Sequence, residues 1–449
     1  MRPAAIGRTR QRRPSQTGRP SKCPRKNEEM KGMALDTRPR HVAVVGAGMV
    51  GLSTAWFLQE HGADVTVFDR DDVAAGASWG NAGWLTPGLA TPLPEPAVLS
   101  YGVRAVLSPS SPVYVPPSAS PRLLRFLAGF AMNSTAAKWR RAMESLVPIN
   151  GRALPSFDAL IEGGVKAETN DAGSFLAAYR TAGERHVLLE EIEHIREAGQ
   201  ELEYDALSGD EARAVEPALS DEIGAAIVLR GQRFINPGRF VHALADSVRD
   251  RGGKIRTGEA VSDLRDESGG VSVRTAGGGS ERFDTVVIAS GVWLGDLARR
   301  FGVRALVQAG RGYSFSVPME RVPDGPVYFP SQRVACTPLG DRLRVAGMME
   351  FRRPDAPLDQ RRVRAIVEAA RPLLRGADLD ARQDEWVGSR PCTRDGLPLI
   401  GATRSPRVFA AGGHGMWGIT LGPATGRLLA DQIVTGDRPR EFAPFDPLR

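Results

Sequence analysis

Near the C-terminus, residues 410–420 (AAGGHGMWGIT) combine four glycines with His414 and a tryptophan. Glycine is costly to order in a folded chain, so such a cluster indicates backbone that approaches another group closely. A helix that begins near Thr420 would direct free N–H groups and the positive end of its dipole at that group. His414 is a candidate polar partner there, although a hydrogen-bonded structural histidine is an equally good interpretation.

A second glycine cluster, residues 46–51 (GAGMVG), follows a buried β-branched run at residues 41–45. A helical pattern at 52–60 and a strand that ends at Asp69 complete a βαβ unit of the dinucleotide-binding type. The first glycine permits the tight turn, the second lets the backbone reach a pyrophosphate, and the third allows close helix packing. Asp69 suits ribose hydroxyls and argues against the 2′-phosphate of NADP, but the motif does not separate NAD from FAD. The alternative is a glycine-rich turn of a structural domain.

Other catalytic chemistries find no support in the sequence. The six histidines have no metal-ligand spacing, and no Ser/His/Asp arrangement stands out. The three cysteines, Cys23, Cys336 and Cys392, are widely spaced, as in proteins of a reducing cytoplasm. We therefore expect no metal site and a cytoplasmic protein.

The basic charge of the chain is confined to its N-terminal tail. Residues 1–40 contain 12 Lys/Arg and 3 Asp/Glu, and the remainder contains 47 and 49, within a total net charge of +7. The tail is rich in Arg, Pro, Ser and Gly, so we expect it to be disordered, and it lacks the apolar region of a secretory signal. A start at Met30 or Met33 fits better than a nucleic-acid-binding arm. We therefore expect no nucleic-acid partner.

The segments that must position these motifs alternate along the chain. A buried strand at 285–289 ends in Ser290-Gly291, and strand patterns dominate residues 311–349. A nucleotide-binding unit that begins at residue 41 and closes near 435, with strand-rich sequence between, predicts two interleaved domains. Residues 121–145 predict a basic amphipathic helix, which either packs on its own domain or lies on a membrane surface.

Five motifs in order resemble one family. The first glycine motif, SWGNAGWLTPG, VVIASGVW, RPCTRDGLPLIG and GGHGMWGITLGPATG together make residues 41–435 similar to the D-amino-acid dehydrogenase branch of the FAD-dependent amino-acid oxidase superfamily. The resemblance implies an α/β fold in which a Rossmann-like FAD-binding domain interleaves with an α+β substrate domain of mixed or antiparallel sheet. The implied FAD-binding segments are 41–110, 205–300 and 386–440. The implied substrate domain comprises 111–204 and 301–385.

The resemblance also implies a site. Residues that would contact FAD are Gly46, Gly48, Gly51, Asp69, Arg70, Ser78, Asn81, Gly83, Val261, Ala289, Ser290, Gly291, Gly413, Gly415, Gly418 and Thr420. Arg390 matches the arginine that binds the substrate carboxylate, whose two oxygens suit a planar guanidinium, although a surface arginine in a turn is the alternative. Tyr313 and His414 complete the catalytic candidates, and Arg311 is a weaker one. Some relatives attach the flavin covalently through a cysteine, and the matching position here is Gly388. We therefore expect non-covalent FAD.

The implied reaction is oxidative deamination of D-amino acids to 2-oxo acids and ammonia, with electrons passed to a quinone or another carrier. Alternatives are a glycine/sarcosine- or hydroxyproline-type amine oxidase or dehydrogenase, and a non-catalytic flavin-binding protein. The expected location is cytoplasmic, peripheral on the inner face of the membrane if residues 121–145 contact lipid. The accepted side chain, the electron acceptor and the oligomeric state are left open by the sequence.

Overall fold

A computed structural model describes residues 39–96, 111, 113–116 and 120–449 of the chain. The described residues form one compact unit. The predicted disordered tail, apart from residues 39 and 40, lies outside the described residues, as does the stretch 97–110 of the predicted FAD-binding segment.

The helices of the described residues begin and end near the turn and capping signals in the sequence. They are α1 (Met49–Glu60), α2 (Pro121–Asn133), α3 (Ala136–Asn150), α4 (Ala153–Glu162), α5 (Ala182–Glu197), α6 (Gly209–Val215), α7 (Pro237–Asp250), α8 (Leu294–Ala298), α9 (Gln360–Ala370) and α10 (Gly418–Thr435). Capping is clearest at α7, where the Asn236 side chain accepts a hydrogen bond from the Arg239 backbone at 3.1 Å and a proline occupies the first turn.

The strands fall into two large sheets and two small ones. They are β1 (His41–Val45), β2 (Asp64–Phe68), β3 (Trp84–Leu85), β4 (Val113–Tyr114), β5 (Asn170–Asp171), β6 (Phe175–Tyr179), β7 (Tyr204–Ser208), β8 (Ala225–Leu229), β9 (Arg233–Phe234), β10 (Lys254–Arg256), β11 (Val261–Glu267), β12 (Gly270–Thr275), β13 (Ser280–Phe283), β14 (Thr285–Ile288), β15 (Gln308–Pro318), β16 (Val327–Phe329), β17 (Val334–Leu339), β18 (Arg342–Phe351), β19 (Gln383–Cys392), β20 (Leu399–Ala402) and β21 (Val408–Gly412).

A six-stranded sheet carries the nucleotide-type motif. Within the described residues its order is β10-β2-β1-β14-β21-β20, and every pair is parallel except β20 with β21. Its central strands are almost fully buried, because α1 and α10 pack on one face and the small sheet β11–β13 packs on the other. Burial on both faces explains their continuous β-branched runs. Helices α1 and α10 pack against each other beside this sheet. The predicted α/β class is confirmed by this architecture.

A nine-stranded, mostly antiparallel sheet lies beside it. Its main path is β19-β15-β18-β17-β16-β6-β8-β7, and β4 pairs with β18. Strands β7 and β8 belong to this sheet, although the predicted boundary at residue 205 places nearly all of both in the FAD-binding part. The division into two domains stays a prediction, and the pairing indicates a boundary after β8 rather than before β7.

The predicted basic helix 121–145 is two helices, α2 and α3. The break lies at Ser134, whose hydroxyl donates to the Phe130 carbonyl at 3.0 Å and so competes with helix continuation. On the outer face of α2, Leu124 and Met132 are 55% and 67% exposed. Among the residues that the structure describes, no helix is long and apolar enough to cross a membrane.

Candidate active site

A cavity of about 350 Å³ lies at the carboxyl ends of adjacent strands of the six-stranded sheet. This edge is where ligands bind in open α/β sheets. Of the predicted site residues, those that line the cavity are Gly46, Gly48, Asp69, Arg70, Ser78, Asn81, Val261, Ala289, Ser290, Gly291, Arg390, His414, Gly415 and Gly418. Five other predicted residues, all within the described part of the chain, lie behind the lining. They are Gly51, Gly83, Tyr313, Gly413 and Thr420.

The turn between β1 and α1 forms one wall of the cavity. Gly46 has a φ of 121° and lies so close to Ala289 that a methyl group at Gly46 would overlap the Ala289 carbonyl oxygen. Only glycine fits this conformation and spacing. Gly48 precedes α1, lines the cavity and provides no side-chain cap. The positive end of the helix therefore faces the cavity, as in sites that bind phosphate groups.

Asp69 holds this turn in place from the end of β2. Its Oδ2 accepts a hydrogen bond from the Ala47 N–H at 2.7 Å, and its Oδ1 accepts one from the Asp71 N–H at 3.0 Å. Burial raises the pKa of Asp69 above its usual value, although these two hydrogen bonds oppose the shift. The carboxylate lies on the cavity wall, where it can also accept hydrogen bonds from a ligand.

Arg70 and Trp293 form a stacked pair, of which only Arg70 was predicted from the sequence. The Arg70 guanidinium lies 3.5 Å from the centre of the Trp293 ring, and both residues line the cavity. Arg70 also donates from Nε to Asp71 at 2.9 Å. Trp293 lies five residues after the end of β14, so its position in the VVIASGVW motif was the available signal.

The segment after residue 76 crosses between the two large sheets. Ser78 Oγ accepts a hydrogen bond from the Met49 N–H at 3.2 Å, which fixes it beside the first turn of α1. Asn81 Oδ1 accepts one from the Gly83 N–H at 2.9 Å, so Gly83 shapes this loop from behind the wall. Ser314 of β15 donates to the Gly80 carbonyl at 2.7 Å and ties the loop to the nine-stranded sheet.

The C-terminal glycine cluster lies between β21 and α10. His414 is buried, and its Nε2 lies 2.9 Å from Thr425 Oγ1. Burial lowers the pKa of His414 to about 4, so the imidazole is neutral near pH 7. Thr420 is turned away from the cavity and donates to the Trp84 carbonyl at 2.9 Å. Helix α10 begins at Gly418 without a side-chain cap, which leaves its positive end at the cavity.

Arg390 and the glycine cluster are brought together by two backbone contacts. Gly415 N–H donates to the Pro391 carbonyl at 2.9 Å, and Cys392 forms an isolated bridge with His414. Arg390 Nη1 donates to the Met348 carbonyl at 2.8 Å, and burial lowers the pKa of the guanidinium. Within the described ranges, no carboxylate lies at ion-pair distance from Arg390.

Tyr313 of β15 and Arg390 of the neighbouring strand β19 lie on opposite faces of the sheet. Tyr313 is only 1% exposed and packs in the apolar core on the other face of the nine-stranded sheet. Its hydroxyl donates to Glu350 Oε2 at 2.7 Å, and Arg311 Nη1 bonds the same oxygen at 3.3 Å. Neither Tyr313 nor Arg311 lines the described cavity.

The cavity fits a dinucleotide cofactor on its own geometry. A glycine turn without room for a Cβ, the positive end of α1 and the Asp69 carboxylate converge at one end. The positive end of α10 faces the other. A sequence profile of the DAO family, described as FAD dependent oxidoreductase, matches residues 41–432.

The chain belongs to the DAO family of FAD-dependent oxidoreductases. Its cofactor is FAD. The chain is similar to a D-amino acid dehydrogenase of Cereibacter sphaeroides (strain ATCC 17029 / ATH 2.4.9), which is 31% identical over 87% of this chain and 91% of that protein. A D-amino acid dehydrogenase of Xanthobacter autotrophicus (strain ATCC BAA-1158 / Py2) is 30% identical over 87% of this chain and 94% of that protein.

A solved structure shares the fold of this oxidoreductase. The crystal structure of glycine oxidase from Geobacillus kaustophilus aligns with a TM-score of 0.69 at 24% identity, covering 91% of this chain and 99% of that one. The predicted family resemblance, fold class and cofactor are thus confirmed. Non-covalent attachment and the individual site residues stay predictions.

Proposed function

We propose that this oxidoreductase acts as a D-amino acid dehydrogenase. The observation that carries the proposal is Arg390, a guanidinium on the wall of the same cavity as the glycine turn, without a described carboxylate at ion-pair distance. A half-buried cation of this kind favours an anionic ligand, because an unpaired charge away from water is costly. A substrate carboxylate is such an anion, and the names of the two curated relatives support the D-amino acid class.

In this proposal the residues of the chain bind and orient the substrate. Arg390 binds the α-carboxylate through its planar fork and so fixes the position of Cα. The chemistry that FAD supplies when bound is two-electron oxidation of the Cα–N bond to an imine. Water then hydrolyses the imine to a 2-oxo acid and ammonia. The amine must be neutral for this oxidation.

The charge around the site supports the same assignment. His414 stays neutral next to the N-terminus of α10, because burial lowers its pKa to about 4. The positive end of that helix therefore acts without a competing imidazolium, and it favours negative charge that develops nearby. His414 in this view is a structural neighbour of the site, bonded to Thr425.

We test this assignment by anaerobic titration of the purified protein. Addition of D-amino acids one at a time, with L-enantiomers as controls, should bleach the flavin absorbance with the D-series only. Arg390→Lys should raise the KM about 100-fold, because a charged two-point contact is lost. Arg394→Ala is the matched control, since Arg394 lies in the same turn and is exposed. Bleaching by neither series, with FAD bound, would support a non-catalytic flavoprotein instead.

The electron acceptor in the proposal is a quinone or another carrier. In a dehydrogenase the reduced protein is reoxidised slowly by oxygen and rapidly by a soluble quinone. Hydrogen peroxide formed in step with substrate loss would instead support a glycine/sarcosine-type oxidase. The two outcomes separate the proposal from its enzyme alternative.

We also propose that α2 and α3 contact an anionic membrane surface on its cytoplasmic side. The exposed Leu124 and Met132 would enter the interface, and the same two helices carry exposed basic side chains. These basic residues are Arg122, Arg125, Lys138, Arg140 and Arg141. Sedimentation with phosphatidylglycerol vesicles but not with phosphatidylcholine vesicles is expected. A double substitution of Leu124 and Met132 by Asp should abolish it, and equal sedimentation of wild type and variant would contradict the contact.

A further inference from the structure

A β-bulge interrupts the pairing of β15 with β18. The register shifts between Arg311 and Tyr313, so that Met348 and Met349 of β18 together lie opposite the single residue Gly312. Met348 has a φ of 68°, a left-handed conformation that is rare and unfavourable for residues other than glycine. Such strain persists only where the surroundings impose it, and bulges of this kind redirect groups next to functional sites.

The bulge brings the Met348 carbonyl to Arg390. Arg390 Nη1 donates to that oxygen at 2.8 Å, and the Met349 sulfur lies 3.9 Å from the same nitrogen. A carbonyl orients a guanidinium without neutralising it, whereas a carboxylate would satisfy the charge inside the protein. The contact therefore fixes Arg390 and leaves its charge available to a ligand.

Gly312 provides the surface on which the guanidinium lies. A methyl group built at Gly312 would overlap the Cζ and both terminal nitrogens of Arg390. Gly312 lies directly opposite Gly388 in the neighbouring strand β19. Any side chain at Gly312 would therefore displace Arg390 from the sheet.

Buried polar contacts on the other face hold the bulge in register. Arg311 Nη1 and the Tyr313 hydroxyl both bond Glu350 Oε2, at 3.3 and 2.7 Å, and Arg311 Nη2 donates to the Pro357 carbonyl at 3.0 Å. All three side chains are almost fully buried. Because a slip of one residue would separate these groups, their bonding specifies where the extra residue lies.

We propose that Met348 and Gly312 are positioning residues that hold Arg390 ready for the α-carboxylate of the substrate. The inference rests on the carboxylate-binding role of Arg390 under the proposed function. It adds that recognition of the carboxylate depends on the bulge in β18 and on a glycine at residue 312.

The first test is Gly312→Ala, measured with the D-amino acid that bleaches the wild type fastest. The KM for this substrate and the inhibition constant of propionate, a carboxylate without an amino group, should rise in parallel by about tenfold. FAD content should not change. A variant that loses FAD or kcat while both constants stay at wild-type values would overturn the proposal.

Met348→Ile provides a second test that does not depend on the first. Isoleucine has a similar volume but is β-branched, so it resists the left-handed conformation and should move the carbonyl away from Arg390. The KM for the D-amino acid and the inhibition constant of propionate should again rise together. Gly340→Ile is the control, since Gly340 has a φ of 73° in the exposed turn before β18 and no neighbouring atom that a Cβ would touch.

A crystal structure of Gly312→Ala separates failure of this inference from failure of the proposed function. A displaced Arg390 supports the positioning role even if no amino acid reduces the wild type. An Arg390 that keeps its bond to Met348 in the variant overturns the inference, whatever the substrate of the wild type is.

Discussion

The Tyr313 hydroxyl donates a 2.7 Å hydrogen bond to Glu350 Oε2, and both side chains are 1% exposed. Among the described residues, Glu350 Oε1 accepts no hydrogen bond and lies 3.6 Å from Arg352 Nη1, so Tyr313 and Arg311 provide the side-chain hydrogen bonds to this buried group through Oε2. The burial and this hydrogen bond also raise the pKa of Tyr313 well above its usual range, which keeps the phenol protonated. The contact makes Tyr313 part of the scaffold behind the cavity.

We therefore predict that Tyr313→Phe lowers stability more than catalysis. Removing the hydroxyl leaves a buried carboxylate with one donor fewer, which should reduce the free energy of unfolding by about 1–3 kcal/mol. Urea denaturation measures this change, and steady-state kinetics measure kcat and KM. A loss of kcat by several orders of magnitude at unchanged stability would restore Tyr313 as a catalytic residue.

Gly46→Ala should abolish FAD binding. The added methyl group would overlap the Ala289 carbonyl oxygen and is disfavoured by the φ of 121°, so the turn at the cavity must open. The purified variant should lack the visible absorbance of bound flavin. Gly62→Ala is the control, because Gly62 ends α1 at a φ of 81° with open space around it. Full FAD content in Gly46→Ala would contradict the assignment of the β1–α1 turn to the FAD site.

Trp293→Ala should weaken FAD binding without abolishing it. The ring supports the Arg70 guanidinium at the cavity wall, and a contact of this kind contributes about 0.5–2 kcal/mol. The dissociation constant of FAD from the apoprotein, followed by flavin fluorescence, should rise between about twofold and 30-fold. Trp293→Phe keeps an aromatic face and should have a smaller effect. Equal affinities for wild type and Trp293→Ala would remove the pair from the cofactor site.

A second group of ionisable side chains lies away from the cavity and includes Glu191 of α5. Burial, and secondarily the charge of Glu95, raise the pKa of Glu191 to about 7, while Arg333 opposes the shift. Arg333 lies 3.7 Å from Glu95, and the half-buried phenol of Tyr328 lies in the same cluster. Between about pH 4.5 and 7 the folded protein therefore binds more protons at Glu191 than the unfolded chain does, so stability falls as the pH rises.

Glu191→Gln should remove the loss of stability that accompanies the rise in pH. At pH 8 the variant should be more stable than the wild type by about 1–3 kcal/mol, and near pH 4 the two should not differ, because Glu191 is then protonated in both states. Thermal or urea denaturation at both pH values measures the effect. Glu190→Gln is the control, since Glu190 is exposed and pairs with His186 on the same helix. A pH-independent difference would mean that packing, not ionisation, causes it.

The nucleotide-binding half of the molecule was predictable from local sequence patterns. Gly46 and Asp69 were recognisable because a βαβ turn restricts backbone conformation and spacing locally, whatever surrounds it. The buried parallel strands were recognisable for a similar reason, since their β-branched runs reflect burial on both faces. The family, the fold class and FAD followed from these local signals and from the order of the motifs, and the comparisons confirm them.

Which side chains of the nine-stranded sheet reach the cavity depends on contacts between distant segments and was not predictable from sequence patterns. Alternation along β15 predicts two faces but does not say which face meets the cofactor sheet, so Tyr313 of β15 was a catalytic candidate beside Arg390 of β19. The bulge at Met348 also has no local signal, because it depends on how two distant strands are paired. The position of Arg390 over Gly312 is a consequence of that register, and register is fixed by packing across the whole sheet.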